Sequence, residues 1–187
     1  MPRSGVSLTC LCGVLGAIAM SYPAAGQSFG ISDWGRSASF DDLRDHPAHF
    51  DELKSCPQLE SLSLARARVS TLDLARLTEF PQLAWIDLEG SPIDDEACEV
   101  LGCLESLEDL CLVGTWVTDR GVESLCRAPR LRSLDLRGTR VTEAALLSLA
   151  TCDELRFVDL RGTQVSQEAV APFRISVPGM RVLCDRR

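Results

Sequence analysis

The residues with the most chemical potential in this 187-residue chain are its carboxylates, its two histidines and its cysteines. Asp135 and Asp159 lie 24 residues apart, and Asp87 precedes Asp135 by twice that spacing. Paired carboxylates at a controlled separation are the groups of general acid–base hydrolysis. That chemistry needs one of them tuned by burial, whereas an open sheet would leave the Asp column solvated. His46 and His49 form H-x-x-H, two nitrogen ligands without a third, and read as surface polar residues. Nine cysteines are present without a C-x-x-C pair, so neither a zinc ribbon nor a thioredoxin-like site is indicated. No G-x-S-x-G, phosphate-loop or H-E-x-x-H motif occurs. We expect no enzyme, no cofactor and no metal.

What positions these residues is a repeat. Leu59, Leu83, Leu107, Leu131 and Leu155 are spaced by 24 and open the segments LESLSLARARV, LAWIDLEGSPI, LEDLCLVGTWV, LRSLDLRGTRV and LRFVDLRGTQV. Numbering each segment from its leucine, positions one, four, six and eleven are Leu, Ile or Val in all five. Alternation over positions four to six reads as a short strand. Phe50, Leu53 and Cys56 sit where the helix side of an earlier repeat, starting near Gly35, would fall. Met180 to Cys184 reads as a truncated sixth strand, one residue out of phase.

The second half of each repeat has a helical period. Leu74 and Leu77, Cys98 and Leu101, Val122 and Leu125, Leu146 and Leu149, and Val170 and Phe173 are each three apart. Ser70, Asp94, Thr118, Thr142 and Ser166 precede them as N-cap residues, with Asp95, Asp119 and Glu143 at the positive helix ends. Capping accounts for Asp94 and Asp95 without a cation. One such unit cannot bury its apolar side alone; stacked neighbours can.

These phrases resemble the leucine-rich repeat family over about Phe50 to Cys184, and LRGTRVTEAALLSL and LVGTWVTDRGVESL look like its bacterial G-T-x-V-T-D-x-G-L variant. The cysteine-containing repeats of F-box proteins are also similar, but no F-box precedes the repeats. The resemblance implies an α/β solenoid of about five full 24-residue repeats plus partial ends, with a parallel concave sheet, helices on the convex side and a role in protein–protein recognition. One departure is position nine. The family places Asn or Cys there, to satisfy turn backbone of neighbouring repeats; this chain has Ala67, Ser91, Thr115, Thr139 and Thr163. A hydroxyl does part of that work. Ala67 cannot, which puts the regularity of the N-terminal end in doubt.

With positions four and six inward, positions three, five and seven form the candidate recognition face. Trp85, Asp87, Glu89, Asp109, Asp135, Arg137, Phe157, Asp159 and Arg161 are its candidate partner-binding residues. The last strand adds Val182 at three, Cys184 at five and Arg186 at seven. Asp87, Glu89, Glu108 and Asp109 make the early repeats acidic; Arg132, Arg137, Arg156, Arg161 and Arg181 make the later ones basic. Two readings follow: a surface that orients a partner of opposite pattern, or local salt pairing of Asp135 with Arg137 and Asp159 with Arg161. Trp85 and Phe157, about 15 Å apart across three strand spacings, are either exposed binding anchors or packed against the stretch holding Trp34 and Phe40.

A formal net charge of -8 with Lys54 as the single lysine argues against nucleic-acid binding. Met1-Pro2-Arg3, the apolar run from Gly5 to Met20 and the small residues before Gln27 follow the order of a secretory signal peptide. We therefore expect a signal peptide over 1–26, an N-terminal extension over 27–45 and the repeat domain over 46–187. The apolar run falls short of the roughly 20 residues a spanning helix needs, so no stable membrane insertion is expected. Cleavage leaves seven cysteines, an odd number; Cys103 and Cys126, in nearly matching places of adjacent repeats, are the candidate disulfide. The expected function is that of an exported protein-interaction module, periplasmic, envelope-bound or secreted. The alternative is an assembly protein that self-associates through an uncapped C-terminal edge.

Overall fold

The structure, a computed structural model, describes residues 18–20, 28–32, 35–41 and 50–185. His46, His49, Trp34, Arg186 and most of the expected signal peptide lie outside the described residues. The 24-residue phrase folds as a strand, a turn, a helix and a return loop. The strands are β3 (Ser37–Asp41), β4 (Ser61–Ser63), β5 (Trp85–Asp87), β6 (Asp109–Cys111), β7 (Ser133–Asp135), β8 (Phe157–Asp159) and β9 (Arg181–Leu183). They pair in parallel and in sequence order, each residue opposite the one 24 later. Two further strands, β1 (Ile18–Met20) and β2 (Ser28–Ser32), continue the sheet, β2 antiparallel to β3 and β1 antiparallel to β2. They fall inside the segments expected as signal peptide and N-terminal extension.

The helices α1 (Phe50–Leu53), α2 (Thr71–Ala75), α3 (Asp95–Leu101), α4 (Asp119–Leu125), α5 (Ala145–Leu149) and α6 (Gln167–Ser176) complete the repeats. Every aliphatic residue at positions one, four, six and eleven of the five segments is buried, as is every helix-side pair. Together they form one continuous core. Each fully buried Leu or Ile contributes roughly 1.5–3 kcal/mol, so this stack is the principal source of stability.

Position eight demands a left-handed turn. Gly90, Gly114, Gly138 and Gly162 have φ of 64, 67, 67 and 73°, and Arg66 holds the same place at 56°. Only at Arg66 does a side chain carry the steric cost of that region, about 1–2 kcal/mol. Position nine closes the same turn. Thr115, Thr139 and Thr163 hydroxyls donate to the carbonyls of Leu112, Leu136 and Leu160 in their own repeats at 2.6–2.7 Å. Ser91 alone reaches its neighbour, donating to Leu64 O at 2.6 Å and accepting from the Ala67 amide at 3.1 Å. The repeat at Ala67 is therefore regular: the missing hydroxyl is supplied from the next repeat.

The expected helix caps hold at Ser70, Asp94 and Ser166, whose oxygens accept from the amides of Asp73, Ala97 and Ala169. Thr118 and Thr142 act differently. Asp95 accepts from the Thr118 amide, the Thr118 hydroxyl and the Gly121 amide at 2.6–3.0 Å. Asp119 accepts from the amide and hydroxyl of Thr142 at 2.6–2.7 Å. The aspartate that opens one helix thus satisfies the threonine and free amides one repeat later. A carboxylate reaches across the gap between helix ends, which a threonine on its own helix does not.

Two further expectations are corrected. β9 is in phase, Phe157 pairing with Arg181 and Val158 with Val182. The position-one leucine is replaced by Gly179, with Met180 buried beside it, which made the phrase look shifted. Position three of β9 is thus Arg181, position five Leu183 and position seven Asp185, not Val182, Cys184 and Arg186. The disulfide joins Cys126 to Cys152, with Cα atoms 5.0 Å apart. Cys103, the expected partner, is an exposed thiol whose S–H lies on the Glu99 carbonyl.

A methyl group built on Gly121 would lie 2.5 Å from Asp95 Oδ1, 2.9 Å from Val117 Cγ1 and 3.1 Å from Cys98 Sγ. Gly121→Ala is therefore expected to lose about 1–3 kcal/mol in urea unfolding. Gly179→Ala, whose added carbon meets nothing within 4 Å, should change stability by less than about 0.5 kcal/mol. Equal stability of the two variants would contradict the interlock.

Candidate interaction surface

The helices cover one face of the sheet, and positions three, five and seven stand on the other. Trp85 is 40% exposed there. It opens β5 and is paired in register with Asp109. Phe157, at the equivalent place in β8, is only half-buried, because the Arg181 guanidinium lies 5.9 Å from its ring centre. Phe40 is buried and stacked on Phe50, with ring centres 6.4 Å apart. Of the two expected aromatic anchors, Trp85 is the one that presents its ring.

The position-five aspartates are structural as well as charged. Asp87, Asp135 and Asp159 each accept from the amide two residues on, that of Glu89, Arg137 and Arg161, at 2.9–3.1 Å. Arg137 then forks onto Asp135 through Nε and Nη2 at 2.7–2.9 Å, and Arg161 onto Asp159 in the same manner. Arg137 Nε also lies 3.7 Å from Asp159. Arg132 reaches Glu108 at 2.8 Å. The basic half of the face is thus spent on its own carboxylates, which is the local-pairing reading. Arg137 and Arg161 are both pushed above the usual guanidinium range, mainly by the aspartate each holds.

Asp159 was expected to be solvated and is only 2% exposed. Leu183 and Arg181 follow it in β9, and the folded arginines lie over its carboxylate. Burial would raise the Asp159 carboxyl, but the hydrogen bonds from the Arg161 side chain and amide, with two nearby arginine charges, hold it below the usual carboxylate range. It is a fixed anion rather than a proton donor. Between Asp87 and Asp135 sits Cys111, and burial, with the two carboxylates adding to it, pushes its thiol up to about 12. Such a thiol stays protonated and is a poor nucleophile.

In the acidic half, Glu89 stands 3.8 Å from Arg66. Asp109 is half-buried beside Trp85 and makes no ion pair among the described residues. Outside the candidate set, Trp116 is 54% exposed on the turn side. Position ten lies between the buried Thr115 and Val117, so alternation carried past position seven turns its side chain outward. No group of three or more His, Cys, Asp or Glu side chains suited to a metal ion occurs among the described residues.

No protein-family model matches the chain. No curated protein matches it either. Among solved structures, it is similar to an internalin (InlF) from Listeria monocytogenes, with a TM-score of 0.55, 19% identity, and coverage of 71% of this chain and 36% of that one. It is also similar to internalin C2 of the same organism, with a TM-score of 0.53, 16% identity and 80% of each chain covered. The chain has the leucine-rich-repeat fold. It spans about a third of the internalin InlF chain that it matches, and at this identity the likeness speaks for the fold alone.

Because the Asp159 pKa is depressed on folding, the stability it contributes is present above the unfolded carboxylate value and lost as pH falls through the folded one. Asp159→Asn removes that linkage. The stability gap between wild type and variant should stay constant from pH 7 to about pH 4 and close below it. A gap that is the same at pH 7 and pH 2 would contradict the assignment.

Proposed function

We propose that this leucine-rich-repeat chain is an exported, non-enzymatic protein-interaction module that engages its partner through the concave strand face. The observation that carries the reading is Trp85: a large aromatic 40% exposed on a face otherwise made largely of polar and charged side chains. Buried aromatic anchors surrounded by polar contacts dominate the energetics of protein interfaces. The parallel ladder beneath it is rigid, so little ordering cost attends binding. Neither Asp159, held as an anion, nor Cys111, held as a thiol, suits acid–base or nucleophilic work on this face.

Export is supported by two observations. The basic start, apolar run and small residues before Gln27 have the order of a signal peptide, and Cys126 and Cys152 form a disulfide between adjacent repeats, a bond that persists in oxidising compartments. No helix among the described residues is long and apolar enough to cross a membrane. Self-association through the C-terminal edge has less support. In this register position four directs its amide and carbonyl to the following strand, so Val182 presents that pair at the edge that is last among the described strands. Its carbonyl already accepts from Arg174 Nη2 at 2.7 Å. A charged side chain laid on an edge strand opposes strand addition.

Affinity capture from cell envelope and culture fluid, comparing wild type with Trp85→Ala, tests the proposal. The variant should retain less than about a tenth of the captured partner, a loss expected of an aromatic anchor, while its unfolding free energy moves by less than about 1 kcal/mol. Undiminished capture, or a large loss of stability, would count against the face.

A further inference from the structure

The two halves of the open sheet face differ once each charge is matched to its counter-charge. Around β7 and β8, Arg137 and Arg161 are each forked onto an aspartate, Arg132 makes a single bond to Glu108, and Arg181 lies over Phe157. Around β5 and β6, the ion pair made by the carboxylates of Asp87, Glu89 and Asp109 among the described residues is that of Glu89 with Arg66, at 3.8 Å. Asp109 makes no ion pair among the described residues. The aromatic rings follow the same division. On this face Phe157 carries an arginine 5.9 Å from its ring centre, whereas no cation lies over Trp85 among the described residues. The basic half is neutralised from within, and the acidic half is left with negative charge beside an uncovered tryptophan.

We infer that Trp85 and Asp109, flanked by Asp87 and Glu89, receive lysine or arginine side chains from an extended basic segment of a partner protein. The inference rests on the reading above that this face binds the partner, and adds the partner's chemistry. An exposed indole attracts a cation through its ring face, and a carboxylate beside it in register fixes the same charge. Asp109 on β6 and Asp87 and Glu89 of the β5 repeat occupy positions three, five and seven, which spread them over roughly 13 Å along the strand direction. That is wider than one ammonium or guanidinium spans, so the occupant carries at least two basic residues. A chain net charge of -8 favours the same partner at long range. The arrangement also penalises acidic segments, because among the described residues Arg137, Arg161 and Arg181 on this face are each engaged by a carboxylate or a ring.

Selection from a displayed random heptapeptide library on the full chain, followed by titration of synthetic winners, tests this. The enriched peptides should carry two or more Lys or Arg. Their affinity should fall at least about fivefold in Asp109→Asn and in Trp85→Ala, and stay within about twofold in Glu123→Gln, an exposed helix-side carboxylate. Winners without an excess of basic residues that still lose affinity in Trp85→Ala overturn the charge inference and leave the binding face standing. Winners indifferent to Trp85→Ala, or no winners at all, overturn both. Equal losses in Asp109→Asn and Glu123→Gln would reduce the effect to general charge attraction and overturn the site.

Discussion

A single repeat of this chain has an aliphatic side that nothing within the repeat can cover. Each strand is three residues long over most of the ladder, too short to hold a sheet by its own hydrogen bonds, and most helices span only one or two turns. The neighbour one repeat away supplies the missing surface, so the whole structure depends on keeping the same residue at the same height in every layer. The left-handed turn at position eight, the hydroxyl at position nine and the aspartate-to-threonine bonds between helix ends all serve that register. They fix where a strand ends, how its turn closes and how the next helix begins.

The same constraint shapes the exposed face. A position-five aspartate first satisfies the backbone two residues on, and only then interacts with its surroundings. Where position seven is arginine, the side chain folds back on that aspartate and the charge is consumed. Where it is glutamate, as at Glu89, the aspartate remains unmatched by an arginine of its own repeat. One residue type at position seven therefore decides whether a layer is electrically closed or open. The polarity that composition displays along the stack becomes a contrast between a neutralised half and an acidic half.

Much of this was legible in the sequence because the period is strict. The strand register, the buried positions and the helix faces follow from the spacing of Leu59 to Leu155 alone. What escaped has identifiable causes. The phase of β9 was obscured because Gly179 replaces the leucine that marks each repeat. The burial of Asp159 depends on the strand that follows it and on two arginines folding over it, neither of which a one-dimensional pattern reports. The pairing of Cys126 with Cys152 turns on two residues of offset in a return loop. Phe157 looked exposed because its cover, Arg181, belongs to the strand whose phase was misread. Trp85 and the forked Asp–Arg pairs, by contrast, lie where alternation placed them.

The free end of the ladder gives the account its sharpest test. In the parallel register, the position-four amides of Leu62, Ile86, Leu110, Leu134 and Val158 point to a following strand. The Val182 amide points the same way, and no strand pairs with β9 on that side among the described residues. Native-state hydrogen exchange followed residue by residue should find the first five amides among the most protected in the chain, and Val182 exchanging orders of magnitude faster. A Val182 amide as protected as the others would reveal an unrecognised strand at that edge. Rapid exchange at any of the inner five would contradict the register on which the binding face depends.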